Sequence, residues 1–487
     1  MSKGDHSVAA QSAYSPLRIR LDAAGAPIGL VGPDGSEESA AAALRAVRIV
    51  TAAIDQDTGA TVGLLLPDNR IDGVLLRSHV ARKTSAFSRK GGLGAASISA
   101  VASSRCNKWE AEAPFCRVRF RLYSEGGAAT DFKMVAAVTE TAETTTAALL
   151  SHPTVGGTAY TALQSATGMP GWRSVTVGGV SNFDWTDATG AADLPKELVT
   201  DWCNLQSIPR ADGGARPLVM SRIEHNGATN GGIGGHSISL WDSQASSMPW
   251  WRVDQTGTVS SGDAVTDLTR TFSALGTATL WVVPEFDYLT DAVTVYGAGD
   301  SNLESANSGS LGVHGSWGWQ GCAAISSLTR PVTWVNAGKA GATSAIFTAN
   351  ALAEIPRILP NVVVYQCGTS NDSPFDGTDA AVWRYNLHAI ITACRAAKAD
   401  LIVYGTVPKH FDEQQDAMRL GLHAYCKQLE TNGLLRYIDF EPLLSDGATP
   451  ARMKASMTSD GGTHVNNAAE ILMAEMLSGL LLSIIQY

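Results

Sequence analysis

The sequence predicts a multidomain chain: an N-terminal, mostly-β region containing a jelly-roll-like sandwich, followed by an α/β domain whose parallel sheet carries helices on both faces. Three observations predict this. At 487 residues the chain exceeds one ordinary domain. Its composition changes near residue 290: strand-like runs between glycine turns give way to apolar runs alternating with helical patterns. Hydrophobic residues are 45% and charged residues 17%, which allows large cores and argues against gross disorder. The expected division is 1–105, β-rich and of unassigned role; 106–289, the sandwich; and 290–487, the α/β domain.

In residues 1–105, Arg18–Leu21, Val47–Ala52, Val62–Leu66 and Ile71–Leu76 read as strands, with a short helix at Glu37–Ala46. Ser85–Ser104 is rich in Gly, Ser and Ala and reads as a linker or loop. From 106 onward, Cys116–Ser124 alternates strictly between apolar and polar residues. Phe132–Val138, Trp172–Val177, Leu218–Ile223, Ser237–Trp241, Leu268–Phe272 and Ala278–Val283 are further strand-like runs. Glycine clusters such as Gly156-Gly157 and Gly213-Gly214 separate them, the pattern of an antiparallel sandwich.

Beyond 290, Ala292–Gly297, Thr333–Asn336, Asn361–Gln366, Leu401–Thr406 and Arg436–Phe440 read as short buried strands. Thr378–Lys398 places Ala381, Val382, Tyr385, Ala389, Ile390 and Ala393 on one helical face, with Thr378 and Asp379 as its cap. Phe411–Thr431 and Asn467–Ile485 repeat that style. The last is the most apolar run, but Glu475 and Ser478 interrupt it, so a buried terminal helix is expected rather than a membrane span. Right-handed crossovers between parallel strands would bring every strand's C-terminal end to one edge of the sheet.

Three segments meet that edge. Val293–Ser305 runs from a β-branched strand through Gly299 and Asp300 to Ser301 at the mouth of a helix. Gly368–Asp372 follows a later strand, and Asp460–His464 precedes the last helix. A serine hydroxyl is a poor nucleophile at neutral pH; it needs a base, a group to orient that base, and donors for the developing oxyanion. Ser301 is the candidate nucleophile, His464 the base and Asp460 its orienting partner. The N–H groups of Ser301 and Gly341 and the carboxamide of Asn371 are the candidate oxyanion donors. Taken alone, each segment reads as a turn or a capping loop; their order and shared edge give the joint reading its force.

These blocks resemble those of the SGNH, or GDSL-like, hydrolase superfamily. Gly299, Asp300, Ser301 and Asn302 resemble its first block, with Asn302 where many members have leucine. Gly341 matches the second-block glycine, Asn371 the third-block asparagine, and Asp460 with His464 the last block. The resemblance covers about residues 290–487. It implies a flavodoxin-like three-layer sandwich, no metal or other cofactor, and hydrolysis of an ester. Two departures bear on geometry. Thr369 and Ser370 both stand between Gly368 and Asn371, where the family usually has one residue. Gly461, Gly462 and Thr463 separate Asp460 from His464, where it usually has two. The paired glycines could bulge the loop and restore the triad, or leave a Ser–His dyad oriented by a backbone carbonyl.

A β-sandwich ahead of such a domain resembles carbohydrate esterases that remove acetyl groups from polysaccharides. The lack of an apolar lid and of an N-terminal apolar segment fits a phage or prophage tail-associated deacetylase by analogy, and a homo-oligomer or virion association stays open. The competing readings are an inactive glycan-binding adhesin or virion structural protein, and a thioesterase or lipase. A net charge of −10 without a basic stripe argues against nucleic acid and against an anionic membrane surface. The seven cysteines contain no CxxC pair, so buried free thiols are expected, with one Cys106–Cys116 bridge as an option. Asp376 and Asp379 read as solvent and cap residues, and His388 as structural. Trp317 and Trp319 read as loop packing, with a sugar platform as the functional alternative.

Overall fold

One strand, β1 (Val282–Ala298), runs unbroken through position 290 and serves two kinds of sheet pairing. The computed structural model describes residues 103–124, 129–141, 152–164, 170–185, 196–226, 282–304 and 316–485. It also describes shorter segments at 7–10, 17–21, 27–31, 37–38, 83–87, 89–90, 236–237, 252–255, 265–271 and 279–280. The first half of β1 is antiparallel to Phe115–Ser124 and to Lys83–Phe87; the second half is parallel to its neighbours. The register shifts between Asp287 and Ala292, where the partners change.

The strict alternation of Cys116–Ser124 has a direct cause. Val118, Phe120 and Leu122 enter the core, while Arg117, Arg119 and Arg121 lie on the other face. There Glu285 accepts from Arg119 Nε at 2.9 Å and from Arg121 Nε at 2.6 Å, and Asp287 accepts from Arg117 Nε at 2.6 Å. Ser85 and Thr84 donate to the same two carboxylates. Ser85–Phe87 is therefore a strand on β1 rather than part of a linker, because its hydroxyls complete that charged row.

Leu218–Asn226 lies between Ser103–Glu110 and Ala129–Thr139 in an antiparallel sheet extended by Arg173–Val175, Asn182–Trp185 and Arg252–Gln255. Leu268, expected in a strand, sits in a turn instead; Asp267 accepts from the N–H and the hydroxyl of Thr269 and closes it. Ser237–Trp241 and Ala278–Val283 reach outside the described residues. Near the N-terminus, Leu17–Leu21 pairs in a four-stranded antiparallel sheet. Glu37 and Glu38, placed in a helix by the sequence reading, pair there with Val31 and Leu30. The rest of that helix and the runs at 47–52, 62–66 and 71–76 lie outside the described residues.

The parallel part contains β2 (Val332–Asn336), β3 (Val362–Cys367), β4 (Asp400–Gly405) and β5 (Arg436–Ile438) in the order β2-β1-β3-β4-β5. That order has its switch point at β1, and ligands bind beyond the C-terminal strand ends at such a point. Alternation along each strand divides the core. Tyr296, Val363, Tyr365, Leu401 and Val403 face the cluster of α3 (Ser344–Ile358), α4 (Gly377–Ala396) and α5 (Glu413–Thr431). Val293, Val295, Val362, Val364 and Ile402 face α2 (Trp317–Ile325), the short α6 (Glu441–Leu444) and α7 (Asn467–Ile485).

Side-chain caps set where these helices begin. Thr343 caps α3, Asp376 forms a capping box with Asp379 on α4, and Asp412 does so with Gln415 on α5. By length and composition α7, with 19 mostly apolar residues, could cross a membrane. Here it buries Met473, Leu477 and Leu481 against α2 and the sheet. All seven cysteines are free thiols, Cys106 and Cys116 included.

Candidate active site

β1 ends at Ala298, and Ser301 opens the four-residue α1 (Ser301–Glu304). Beneath it Asp300 is fully buried. Its Oδ1 accepts from Asn302 N–H at 2.9 Å, and its Oδ2 accepts from Gln366 Nε2 at 2.8 Å and Thr369 Oγ1 at 2.7 Å. Gln366 Oε1 in turn accepts from Asp300 N–H at 2.9 Å and from the Tyr404 hydroxyl at 3.0 Å. The network is satisfied throughout, so it fixes the backbone that presents Ser301.

His464 Nε2 lies 2.9 Å from Ser301 Oγ, and His464 Nδ1 lies 2.6 Å from Asp460 Oδ2. The other carboxylate oxygen, Oδ1, accepts from the N–H groups of Thr463 and His464, each at 2.9 Å. The three-residue spacing is absorbed by Gly461 at φ 82° and Gly462 at φ 136°. L-residues rarely adopt either conformation, so the paired glycines let the loop bulge and return Asp460 to the ring. Partial burial acts to raise the Asp460 pKa. The N–H and ring of His464 and the N–H of Thr463 outweigh it and hold the carboxyl well below its usual range.

The other two candidate oxyanion donors, Gly341 and Asn371, lie in the loops after β2 and β3, on the strand-end edge that carries Ser301. Among the described residues the N–H groups of Ser301 and Gly341 have no hydrogen-bond acceptor. Gly341 has φ 73°, and no atom occupies the place of its missing Cβ within 4 Å. Asn371 donates from Nδ2 to Ala342 O at 3.0 Å, next to Gly341. Its N–H donates to Thr369 Oγ1 at 3.2 Å, the hydroxyl that binds Asp300. Asn371 is thus tied through Ala342 to Gly341, and through Thr369 and Asp300 to Ser301. The extra residue of this block, Ser370, has its hydroxyl 2.6 Å from Lys409 Nζ.

Asn302 explains how the longer histidine loop is held. Its Oδ1 accepts from Val465 N–H at 3.2 Å, and its Nδ2 donates to Thr463 O at 3.4 Å. One carboxamide, 2% exposed, grips the residues on both sides of His464. A leucine here would fill space and hold neither group. Asn302→Leu is expected to lower kcat about 10²-fold, the cost of a misplacement near 1 Å, with KM nearly unchanged. Steady-state kinetics beside a melting curve would separate that outcome from simple unfolding.

Two residues of this edge carried no signal in the sequence. His410 Nε2 lies 3.0 Å from Gly461 O and packs where a Gly462 Cβ would be. Lys409 is buried beside it. Both sit in the loop after β4, and only the rule that parallel strands end on one edge could have nominated them. Trp317 is a core residue rather than a sugar platform: it is fully buried and meets Tyr404 and Phe440 edge-on at 5.3 and 5.4 Å. His388 bonds Tyr425, and Asp376 and Asp379 cap α4. His314 lies outside the described residues. Among the described residues no cluster of His, Cys, Asp or Glu could hold a metal ion.

Residues 297–470 match the GDSL-like Lipase/Acylhydrolase family, a span that contains every candidate site residue. The chain is also similar to solved structures. A lipase/acylhydrolase from Enterococcus faecalis is 17% identical, with 39% of this chain and 95% of that one covered and a TM-score of 0.32. A psychrotrophic esterase from Pseudoalteromonas sp. is 17% identical, with 40% and 99% covered and a TM-score of 0.31. A GDSL-like lipase from Bacteroides thetaiotaomicron is 15% identical, with 40% and 88% covered and a TM-score of 0.31. No curated protein matches the chain. Residues 297–470 of this protein are thus a GDSL-like lipase/acylhydrolase domain.

Proposed function

We propose that the chain hydrolyses O-acyl esters, with O-acetyl groups on carbohydrate as the substrate class. The observation that carries the reading is the unbroken line from Asp460 through His464 to Ser301. In this mechanism His464 Nε2 takes the proton of Ser301 as Oγ attacks the ester carbonyl. Asp460 holds the ring in the accepting tautomer and steadies the imidazolium. The N–H groups of Ser301 and Gly341 and the amide of Asn371 bind the oxyanion. The alcohol leaves with the proton from His464, and water, activated by the same ring, releases the acyl group.

Polarity supports a small acyl group on a hydrophilic alcohol. Ser370, Asn371, Lys409, His410 and Thr463 lie in the strand-end loops of the same edge. No large apolar side chain is exposed in the loops 336–343, 368–376, 406–412 or 458–466. A long acyl chain would gain little there, since each buried CH₂ is worth about 0.8 kcal/mol only against apolar surface. Initial rates on aryl acetate, aryl palmitate, an acyl-CoA and acetylated xylo-oligosaccharides test this. Acetate release from the aryl ester and the oligosaccharides, at rates well above the palmitate and acyl-CoA, is expected. A preference for palmitate or acyl-CoA would reject the carbohydrate assignment.

A further inference from the structure

Lys409 is 6% exposed, and its Nζ has one partner among the described residues, the neutral Ser370 hydroxyl at 2.6 Å. A buried ammonium without a counter-ion is costly, and such uncompensated groups concentrate at functional sites. Among the described residues the carboxylates of this edge have partners other than Lys409; Glu304 accepts from Ala340 N–H. Asp300 serves Gln366, Thr369 and Asn302 N–H. Asp372 accepts from Ser344 N–H and the Trp383 indole. Asp376 and Asp412 cap helices, and Asp460 serves His464 and Thr463 N–H.

Its position gives that charge a use. Ser370 precedes Asn371, a candidate oxyanion donor. His410, the next residue along from Lys409, touches Gly461 in the loop that carries Asp460 and His464. The cation is thus bonded to the residue before Asn371, and its neighbour His410 is bonded to the loop that carries His464. Its ammonium has three N–H donors and spends one on Ser370.

We propose that Lys409, with Ser370, forms a subsite for a carboxylate carried by the substrate, so that the preferred esters are acidic ones, such as O-acetylated hexuronic acid residues. The proposal rests on the esterase reading of Ser301. The carboxylate belongs either to the sugar or to the acyl group, and two matched pairs of esters distinguish these sources. One pair is methyl O-acetylglucuronoside against methyl O-acetylglucoside, which differ at the sugar carboxylate. The other is an aryl hemisuccinate against the aryl acetate, which differ at the acyl end.

The native protein should favour the acidic member of one pair by at least about ten-fold in kcat/KM, the scale of one charge-assisted hydrogen bond. Lys409→Met should bring that ratio close to one, and Lys409→Arg should keep most of it. A ratio within one protein is insensitive to a loss of folded fraction, so a destabilised variant still reports. No acidic preference in either pair overturns the subsite. So does an equal fall for both members of a pair in Lys409→Met, which would leave Lys409 as a support for the Ser370 loop. If the aryl acetate itself is not hydrolysed, the esterase reading fails and the subsite with it, a result distinct from hydrolysis without acidic preference.

Discussion

Ser301→Ala is expected to lower kcat on an aryl acetate by about 10⁶-fold, with the melting temperature and the circular dichroism spectrum unchanged. The size follows from the roles of the two groups. Without the hydroxyl there is no acyl-enzyme, and only oxyanion donors and binding remain to assist direct attack by water. His464→Ala should cost about the same, because every proton transfer of the mechanism passes through that ring. The double variant should be little worse than either single one, since residues that act as a unit lose their effect together. The fold should survive, because the Ser301 hydroxyl makes one hydrogen bond, to His464, while Asp300, Gln366 and Thr369 hold the turn beneath it. Turnover within ten-fold of the native rate in either single variant would contradict the mechanism.

Asp460→Asn is the second large effect, a fall in kcat on the order of 10⁴-fold. An asparagine accepts through one atom and donates through the other. If its oxygen keeps the N–H groups of Thr463 and His464, its amide nitrogen faces His464 Nδ1. The ring must then carry its proton on Nε2, where it cannot accept from Ser301. The pH dependence adds a check. Because the folded-state value lies below the ordinary 3.8, the Asp460 carboxylate is charged throughout the near-neutral range. Its stabilisation of the loop is fully present above 3.8 and is lost only as pH falls through the lower folded value. An acid limb in the kcat profile above pH 4.5 should therefore not belong to Asp460. A kcat for Asp460→Asn within ten-fold of native would favour the dyad, with the ring oriented by backbone.

Much of the α/β domain was legible because its pattern is local. β3 and β4 fall within one residue of the runs expected, and α4, α5 and α7 within two at each end. The face expected to be buried on α4 is a different one: Ala381, Val382 and Tyr385 are exposed, while Trp383, Leu387, Ile390 and Cys394 turn inward. The site was legible as a set of blocks, but not as geometry. Whether Asp460 reached His464 depended on two positive φ angles, which the letters Gly461 and Gly462 permit without requiring. The role of Asn302 was hidden because its partners are backbone groups of a loop 161 to 163 residues away. Lys409 and His410 lie in an aperiodic loop, where nothing local separates a buried lysine from an exposed one. Trp317 went the other way: a Gly-rich neighbourhood suggested a loop, yet α2 carries the indole into the core. Ser85–Phe87 gave no strand signal because polar side chains on a charged row were its reason for pairing.

The most direct measurement is covalent capture of the nucleophile. Native protein and the Ser301→Ala variant would be treated with a serine-directed fluorophosphonate, digested and analysed by mass spectrometry. One adduct per chain on the peptide that carries Ser301, absent from the variant and blocked by prior incubation with ester substrate, is the predicted result. An unlabelled native protein that still hydrolyses the aryl acetate, or an adduct on a different serine, would contradict the account.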